Sequence, residues 1–406
     1  MKAPLRVAVL GAGIMGSATA LLLARRGVPV RLIDAAPEPF QGASRWNEGK
    51  IHLGHLYAAD PSLRTARRLL PGGLAFKPLV ESLLGSPIDE AITAHDDTYL
   101  VHRHSVVDAE AMGNYLRAAT ALAREHPEAQ HYLGDLRQAA VQRLDARQLD
   151  ADYDTASVIA GYRVPERSVD TQWLADRFVQ ALAAEDRIEQ RLSTRVTAVR
   201  RTAPELDSPL RVDTEHGSEG EFDIVVNALW EGRLAIDATM GLAPPVRRTH
   251  RYRVSAFVRT RSPIAIPSTV IATGPFGDVK CYSPTRFYLS WYASGLLAEG
   301  GDVAPPPTPR PAPADRERIS ADLLARLGQI IPAVNALPPL IEQLRLEGGW
   351  VYAVGEGSLA DERSELHRRD RIGIQRSGGY VSVDTGKYSI APWLAKEIAD
   401  GIAAVR

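Results

Sequence analysis

Residues 6–34 read RVAVLGAGIMGSATALLLARRGVPVRLID, and this stretch decides the fold. Residues 7–10 form a short apolar run of the kind that buried parallel strands carry. Residues 17–26 then show a helical pattern, and a second apolar run, residues 30–33, ends at an aspartate. The order strand, turn, helix, strand predicts a βαβ unit in which both strands are parallel and buried.

Three glycines and one acid give this unit its chemistry. Gly11, Gly13 and Gly16 have the spacing G-x-G-x-x-G, and Asp34 follows the last glycine by 18 residues. The first glycine permits a tight turn, the second lets the backbone approach a pyrophosphate, and the third lets the helix pack on the strand. The helix N-terminus offers free N–H groups to phosphates, and the acid can bind ribose hydroxyls. Together these features predict a dinucleotide site rather than a plain packed βαβ unit.

The same stretch has a second interpretation, because residues 7–24 carry no charge and resemble a signal peptide or a membrane helix. Three glycines and the polar residues of the helix weaken that interpretation, and the run leads directly into the second strand. We therefore expect no membrane span here, and no other segment is long and apolar enough for one.

The length allows two domains, and the composition is that of an ordinary globular protein in a reducing compartment. The chain has 406 residues and a formal net charge of −1, which favours neither a nucleic acid nor an acidic surface as partner. Cys281 is the single cysteine, so no internal disulfide forms, and a cytoplasmic location is expected. We expect no bound metal.

The remaining pattern predicts a mixed architecture. Loop 43–57 is polar and irregular, and residues 304–313 contain six prolines and should form an extended surface loop. A glycine turn follows the strand near residue 380 and precedes a helix with Pro392 in its first turn. Predicted helices lie at 61–70, 74–84, 108–125, 136–149, 169–184 (capped by Asp170) and 315–331. Predicted strands lie at 96–107, 157–165, 195–201, 210–214, 222–229 and 344–354. The pattern of residues 250–292 predicts several antiparallel strands.

These elements predict an α/β plus α+β fold, in which a Rossmann-like nucleotide-binding domain holds an inserted antiparallel-β substrate domain. The predicted nucleotide-binding parts are residues 1–90, 166–245 and 344–406. The predicted substrate-domain parts are residues 91–165 and 246–343. This split differs from a simple nicotinamide dehydrogenase with two consecutive halves.

Two local patterns suggest a family. In loop 43–57, ASRWNEGKIHLGHLY, the pattern S-R-x-N-x-G-x-I-H-x-G-x-x-Y resembles that of the 2-hydroxyglutarate oxidases. The turn at Gly386 and Lys387 resembles the G-K-x-T-T turn of glycerol-3-phosphate dehydrogenases, although Tyr388 and Ser389 depart from it. Over nearly its whole length the chain resembles the D-amino-acid-oxidase-like superfamily of FAD-dependent oxidoreductases.

The resemblance implies that the dinucleotide is FAD, bound non-covalently rather than tethered to His52 or Cys281. It also implies which residues hold it. The pyrophosphate and ribose would be bound by Gly11, Gly13, Gly16 and Asp34. The path to the flavin would be lined by Ser44 and Arg45, and the adenine would meet the backbone of Val196. The pyrimidine edge of the flavin would lie beside Gly386 and Lys387. One departure is the pair Leu229–Trp230, which stands after Asn227–Ala228 where the family has Ala-Gly.

Candidate catalytic residues follow from the chemistry of flavin oxidation, in which a hydride leaves a C–H bond of the substrate. Lys387 would stabilise charge on the reduced ring, and His52 could act as base toward a substrate hydroxyl, while His55 is expected to be structural. The inserted sheet should supply the substrate wall, where cations beside tyrosines suit a carboxylate. The predicted substrate-binding residues are Lys50, Arg253, Lys280, Tyr282 and Tyr292, with Tyr282 also a catalytic candidate.

The function expected from the sequence is an FAD-dependent oxidase or dehydrogenase that acts on a small hydroxy or amino compound with a carboxylate. Oxygen or a quinone would reoxidise the cofactor. An NAD(P)-dependent dehydrogenase and a non-catalytic dinucleotide-binding module are the alternatives. Cofactor identity separates the first two, and reduction of the cofactor by a substrate separates an enzyme from a module.

Overall fold

The structure is a computed structural model and describes residues 5–404. The outermost residues of the predicted nucleotide-binding domain, 1–4 and 405–406, lie outside that part. Its strands are β1 (Val7–Leu10), β2 (Val30–Ile33), β3 (Asp97–His102), β4 (Gln142–Arg143), β5 (Val158–Val164), β6 (Ile188–Arg191), β7 (Val196–Arg201), β8 (Leu210–Thr214), β9 (Gly217–Phe222), β10 (Ile224–Asn227), β11 (Arg248–Thr260), β12 (Thr269–Ala272), β13 (Gly277–Ser283), β14 (Arg286–Trp291), β15 (Leu296–Gly300), β16 (Ile341–Val354), β17 (Gly373–Ser377) and β18 (Tyr380–Asp384). Its helices are α1 (Ile14–Arg25), α2 (Arg64–Leu84), α3 (Ala109–Glu125), α4 (Ala146–Asp152), α5 (Thr171–Ala183), α6 (Arg233–Thr239), α7 (Tyr292–Gly295), α8 (Pro313–Ile330) and α9 (Ala391–Ala403).

The first sheet is built around β1. Its order is β17-β18-β10-β1-β2-β6, and β1 pairs in parallel with β2 on one side and β10 on the other. All four residues of β1 are buried, as are those of β10, because helices including α1 cover one face and the strands β7, β8 and β9 with α6 cover the other. The βαβ unit predicted from residues 6–34 is confirmed, with α1 starting three residues earlier than the pattern indicated.

The second sheet forms the other half of the molecule. Its order is β15-β11-β14-β13-β12-β3-β5-β4, with β16 also paired to β11, and only the β12–β3 pair is parallel. A small antiparallel sheet, β7-β8-β9, packs beside the first one. The predicted combination of a Rossmann-like domain with an antiparallel-β domain is therefore confirmed.

One predicted domain boundary is wrong. We placed residues 344–406 in the nucleotide-binding domain, but β16 pairs with β11 along residues 248–260 and so belongs to the second sheet. The physical reason is that a long strand with intermediate burial forms more backbone hydrogen bonds in a continuous antiparallel ladder than at the edge of the parallel sheet. The third nucleotide-binding part therefore begins after residue 354.

Three elements differ from the predictions. The two helices predicted at 61–70 and 74–84 are one helix, α2, which continues through Pro71 and Pro78 because its buried face packs against the core on both sides of the prolines. The predicted helix 136–149 is replaced by β4 and the later helix α4, which Asp145 caps. A third strand, β9, completes the sheet that we expected to be a pair.

Several other elements lie where the sequence placed them. Asp170 caps α5 by accepting from the backbone N–H groups of Gln172 and Trp173. None of the helices in the described part of the chain is both long and apolar enough to cross a bilayer.

Candidate active site

The glycine loop after β1 forms a close-packed turn. Gly11 has a φ of +97°, and a Cβ atom there would lie 2.7 Å from the carbonyl oxygen of Ala228. A Cβ atom on Gly16 would lie 1.8 Å from the carbonyl oxygen of Gly11, and one on Gly13 would lie 2.7 Å from Ser44 Oγ. These positions therefore accept glycine alone without rearrangement, which leaves the N-terminus of α1 open to a ligand.

Asp34 lies at the end of β2 beside this turn. Its Oδ2 accepts from the N–H of Ala12 at 2.6 Å and its Oδ1 from that of Ala36 at 2.8 Å, so the carboxylate is fixed in place. Each oxygen keeps a lone pair for a ribose hydroxyl. The N–H of Thr194 donates to the Asp34 carbonyl at 2.9 Å, which brings the start of β7, and hence Val196, to the same end of the cleft.

The turn after β10 is built around a tryptophan. Trp230 has a φ of +54°, a conformation that favours glycine, and its indole N–H donates to the carbonyl of Trp350 at 2.7 Å. Burial and then the negative charge of Asp34 raise the pKa of the neighbouring Glu231 to about 7. This turn contains the pair Leu229–Trp230, where the family has Ala-Gly. The indole hydrogen bond helps to hold Trp230 in a conformation that a glycine would adopt without strain.

Ser44 and Arg45 begin loop 43–57 and face different partners. Ser44 Oγ accepts from the N–H of Ile14 at 3.0 Å, at the first turn of α1. Arg45 donates to the carbonyl of Phe40 at 3.3 Å and forms an ion pair with Asp176 at 2.7 Å. Ser44 therefore belongs to the glycine cradle, by which we mean the turn of Gly11, Gly13 and Gly16 with the first turn of α1. The role of Arg45 along the path to the flavin stays a prediction.

A cavity of about 200 Å³ opens between loop 43–57, the Gly386 turn and one face of the second sheet. Four of the predicted site residues line it, namely Lys50, Arg253, Tyr292 and Lys387. Further polar residues that line it are Glu48, Tyr57, Arg251, Asp278, Tyr288, Ser290, His367 and Arg369. The sequence patterns predicted none of the acids in this set, although strand alternation places Asp278 on the same face as Lys280.

Two arginines of β11 provide positive charge in the cavity. Arg251 donates to the hydroxyl of Tyr292 at 2.7 Å, and the guanidinium of Arg253 lies 4.6 Å from the centroid of the same ring. The Nε atoms of both arginines are buried without a hydrogen-bond partner. Within residues 5–404 neither arginine forms an ion pair, so both can bind an anionic ligand.

The Gly386 turn brings a lysine to the opposite side. Gly386 has a φ of +62° and its N–H donates to Asp384 Oδ1 at 3.0 Å, while Lys387 Nζ lies 5.8 Å from the centroid of the Tyr57 ring. Burial lowers the pKa of Lys387 to about 8, against the opposing charge of Glu48. Lys387 is therefore mostly cationic at neutral pH, but with a weakened hold on its proton.

Glu48 and His52 lie next to this lysine. Burial is the largest influence on the pKa of Glu48 and raises it, but Lys387 and the smaller influences of the other neighbouring groups together lower the pKa to about 2. His52 Nε2 lies 3.8 Å from Glu48 Oε1, and its Nδ1 is buried without a partner. Burial and then Lys387 hold the pKa of His52 well below its usual value. His52 is therefore neutral, and it is not among the residues that line the cavity.

Two predicted substrate contacts lie outside the cavity. Lys280 is fully buried and its Nζ binds Asp97 Oδ2 at 2.5 Å. Tyr282 packs in an aromatic cluster with Phe257 and Tyr288, under Trp46 of loop 43–57. Both lie on the predicted sheet face, but Trp46 of the loop packs over Tyr282 and Lys280 is paired with Asp97. Neither lines the cavity, so direct substrate binding by Lys280 and Tyr282 stays a prediction that this lining does not favour.

A buried charge network lies behind the cavity. Asp97 accepts from Lys50 at 3.2 Å as well as from Lys280, and Lys50 also lies 3.8 Å from Glu166. Burial opposes the charged form of Lys50, but Asp97 and then Glu166 raise its pKa above the ordinary value. The network fixes Lys50 at the cavity wall. Sequence reasoning missed Asp97 and Glu166, because single acids at strand ends carry no pattern.

Cys281 lies away from these groups. It is half-buried, its Sγ lies 3.3 Å from the carbonyl of Ser283, and it does not line the cavity.

The donor set of the site as a whole fits a dinucleotide with a redox-active ring: a glycine cradle, a fixed acid for ribose, and several buried polar atoms without partners around the cavity. Those atoms are His52 Nδ1, Tyr57 Oη, Arg251 Nε, Arg253 Nε, Arg369 Nη1 and Ser389 Oγ.

Comparison with known proteins gives one family and one fold. A family model described as FAD dependent oxidoreductase (DAO) matches residues 6–399. The structure resembles glycine oxidase from Geobacillus kaustophilus, with a TM-score of 0.70 and 18% identity over 98% of this chain and 95% of that one. It also resembles the FAD-bound L-alpha-glycerophosphate oxidase from Mycoplasma pneumoniae, with a TM-score of 0.64 and 14% identity over 98% and 94% of the two chains.

A curated relative matches a shorter stretch. The tRNA 5-methylaminomethyl-2-thiouridine biosynthesis bifunctional protein MnmC of Polaromonas naphthalenivorans (strain CJ2) is 35% identical over 133 residues. The match covers 31% of this chain and 20% of the relative, so most of that longer protein has no counterpart in the alignment.

Proposed function

The chain belongs to the DAO family of FAD-dependent oxidoreductases, and we propose that it oxidises a small carboxylate-containing substrate at a carbon that bears a hydroxyl or an amine. The family model spans nearly the whole chain, so FAD is the cofactor and the protein is an enzyme of oxidation and reduction. The substrate class and the transfer of a hydride to flavin N5 are our proposals.

FAD, when bound, supplies a two-electron acceptor for the hydride of the substrate. The residues that would hold it are the glycines of the first turn, Asp34, Ser44 and the backbone near Val196. Gly386 and Lys387 would lie at its pyrimidine edge. We propose non-covalent binding. The alternative anchor Cys281 lies outside the cavity, and His52 is enclosed beside Glu48.

The observation that carries the proposal is the pair of arginines in the cavity, Arg251 and Arg253, whose Nε atoms are both buried. Arg251 and Arg253 have no carboxylate partner among the described residues, and each keeps a buried Nε donor unsatisfied. A substrate carboxylate would satisfy both, and the charge-assisted hydrogen bonds would orient the reacting carbon. Lys387 would add positive charge on the other side of the cavity, where negative charge develops during oxidation.

The test starts with the purified protein, its visible absorbance and acid precipitation. We expect a flavin spectrum that moves into the supernatant. Under anaerobic conditions, a panel of 2-hydroxy acids and amino acids should bleach the flavin, whereas the matching alcohols and amines without a carboxylate should not. Bleaching only by the compounds without a carboxylate would contradict the proposed substrate class.

Two variants locate the carboxylate contact. Replacement Arg253→Met removes a charge-assisted contact and should raise KM about 10- to 100-fold with a smaller effect on kcat. The matched control Arg310→Met changes an exposed arginine and should leave KM unchanged. Equal KM values for the two variants would show that Arg253 does not bind the substrate.

The electron acceptor and the compartment are further proposals. We propose oxygen or a quinone as the acceptor and the cytoplasm as the location, the latter on the single cysteine of the sequence. Peroxide formation in air during turnover would support oxygen, and turnover that requires an added quinone would support the second acceptor. Cofactor content and bleaching also test the alternatives of a nicotinamide enzyme and a binding module.

A further inference from the structure

Asp278 of β13 is an acid in the cavity wall that the site described above leaves without a role. It lies opposite Ser290 of β14 in the antiparallel ladder. Ser290 Oγ donates to Asp278 Oδ1, and the backbone N–H of Asp278 donates to the same Oγ at 3.3 Å. Within residues 5–404 the second carboxylate oxygen, Oδ2, has neither a hydrogen bond nor an ion pair. The serine therefore orients the carboxylate and leaves Oδ2 free for a molecule in the cavity.

The charged and titratable groups around Asp278 come from three elements. Lys280 follows it on β13, Glu48 and Lys50 face it from loop 43–57, and Tyr288 faces it from β14. Burial raises the pKa of Asp278 above its ordinary value, and Lys280 is the strongest opposing influence, while Glu48 adds to the rise and the Ser290 hydrogen bond opposes it. A carboxylate with a raised pKa is a better proton acceptor than one exposed to water.

We propose that Asp278 is the proton acceptor of the reaction, a role that rests on the proposed function. Oxidation of H–C–X–H to C=X, with X either oxygen or nitrogen, removes a hydride and a proton. The C–H bond breaks with its electron pair leaving on the hydrogen, and FAD, when bound, would accept that hydride. The X–H bond breaks, its electron pair forms the second C–X bond, and its proton goes to Asp278 Oδ2. Ser290 is a positioning residue that holds the carboxylate in this orientation.

The geometry favours Asp278 over His52, the base expected from the sequence. His52 is 1% exposed and its Nε2 is directed at Glu48 rather than into the cavity. Its Nδ1 has no described partner, and a histidine with a strongly lowered pKa holds a proton poorly. Glu48 does line the cavity, but a carboxylate with a pKa of about 2 is a weak base. Asp278 is the acid whose free oxygen and surroundings suit the role.

The experiment measures the anaerobic rate of flavin reduction against pH, with the holoenzyme and the substrate that bleaches it fastest. Replacement Asp278→Asn should lower the reduction rate about 100-fold or more and remove the ionisation on the acidic side of the profile. FAD content and substrate KM should change by less than about threefold. The control Asp150→Asn, at an exposed position of α4, should match the wild type in rate and profile.

The variant Ser290→Ala provides a second test, which does not depend on whether the Asp278→Asn protein folds. Without its donor hydroxyl the charged form of Asp278 is less favoured, so the ionisation should move to higher pH. The plateau rate should fall as the carboxylate loses its orienting contact, but by less than in Asp278→Asn. An unchanged profile in Ser290→Ala, or a normal rate and profile in Asp278→Asn, would overturn the role of Asp278. Wild-type holoenzyme that no compound of the panel reduces would instead overturn the proposed function, and this inference with it.

Discussion

At the scale of single residues, the site depends on which charges are paired. Asp97 is shared between Lys50 and Lys280 in a region without water access, and both lysines have exposures of 2% or less. Arg251 and Arg253 have no such partner in the part of the chain that the structure describes. The same residue types therefore do two jobs: the paired lysines fix the wall of the cavity, and the unpaired arginines are available to a ligand.

Lys280 should contribute to stability rather than to substrate binding. Replacement Lys280→Met removes one of the two cations around Asp97, so we expect the free energy of unfolding to fall by about 3 kcal/mol. Urea unfolding of the wild type and of the variant measures this change in the free energy of unfolding. The control Lys396→Met breaks an exposed pair with Asp400 and should cost less than about 1 kcal/mol. A stable Lys280→Met protein with a raised KM would restore the role that the sequence suggested for this lysine.

His52 should make stability depend on pH. Its pKa in the folded state is well below the value of 6.5, whereas the unfolded chain binds its proton normally. Below pH 6.5 the unfolded state therefore binds more protons, and the free energy of unfolding falls as the pH falls. Replacement His52→Gln should remove up to about 1.4 kcal/mol per pH unit of this dependence between pH 6.5 and 5. Equal slopes for the two proteins in urea titrations at pH 5 and 7 would exclude the effect.

The cofactor residues were easier to predict than the cavity residues. Gly11, Gly13, Gly16 and Asp34 follow a spacing that physical chemistry ties to one local geometry. Asp278 has no such pattern, because its place in the site depends on the register between β13 and β14 and on a loop more than 200 positions earlier in the chain. Lys280 and Tyr282 were placed on the correct face, but alternation alone does not tell which part of that face a loop covers.

At the scale of elements, α2 shows how tertiary packing overrides local signals. The helix contains two prolines, yet it continues because residues before and after them pack into the same core. Two glycines in its middle pack closely on their neighbours. A Cβ atom on Gly72 would lie 2.6 Å from Ile390, and one on Gly73 would lie 2.5 Å from the carbonyl oxygen of His52. The helix therefore supports loop 43–57 and the turn beyond Gly386 at once.

Two glycine-to-alanine substitutions in helices should have opposite effects. Gly73→Ala places a methyl group against the His52 carbonyl, so we expect a loss of about 1–3 kcal/mol in unfolding free energy, despite the better helix propensity of alanine. Gly401→Ala in α9 meets the end of the flexible Arg376 side chain, which can move, and should stabilise by up to about 1 kcal/mol. Urea unfolding measures both. Equal stability changes would show that the helix–loop contact carries no strain.

At the scale of the whole molecule, cofactor and fold should support each other. The glycine turn, Asp34 and the Gly386 turn lie on different parts of the chain and meet only in the folded protein. FAD at 100 times its Kd should therefore raise the unfolding free energy by about 2.7 kcal/mol, while NAD at the same concentration should have no effect. Thermal or urea unfolding of the apoprotein measures this. Stabilisation by NAD equal to that by FAD would contradict the cofactor assignment.

The order of strands also has a consequence for biosynthesis. The central strand β1 is translated well before β10 and β18, which complete its sheet, and Lys387 follows β18. At typical elongation rates of 5–20 residues per second, roughly 20–70 s separate the synthesis of Asp34 from that of Lys387. Through that interval the ribosome carries a nascent chain with an apolar strand and an unfinished cleft. This topology therefore favours FAD loading only after Lys387 has been synthesised.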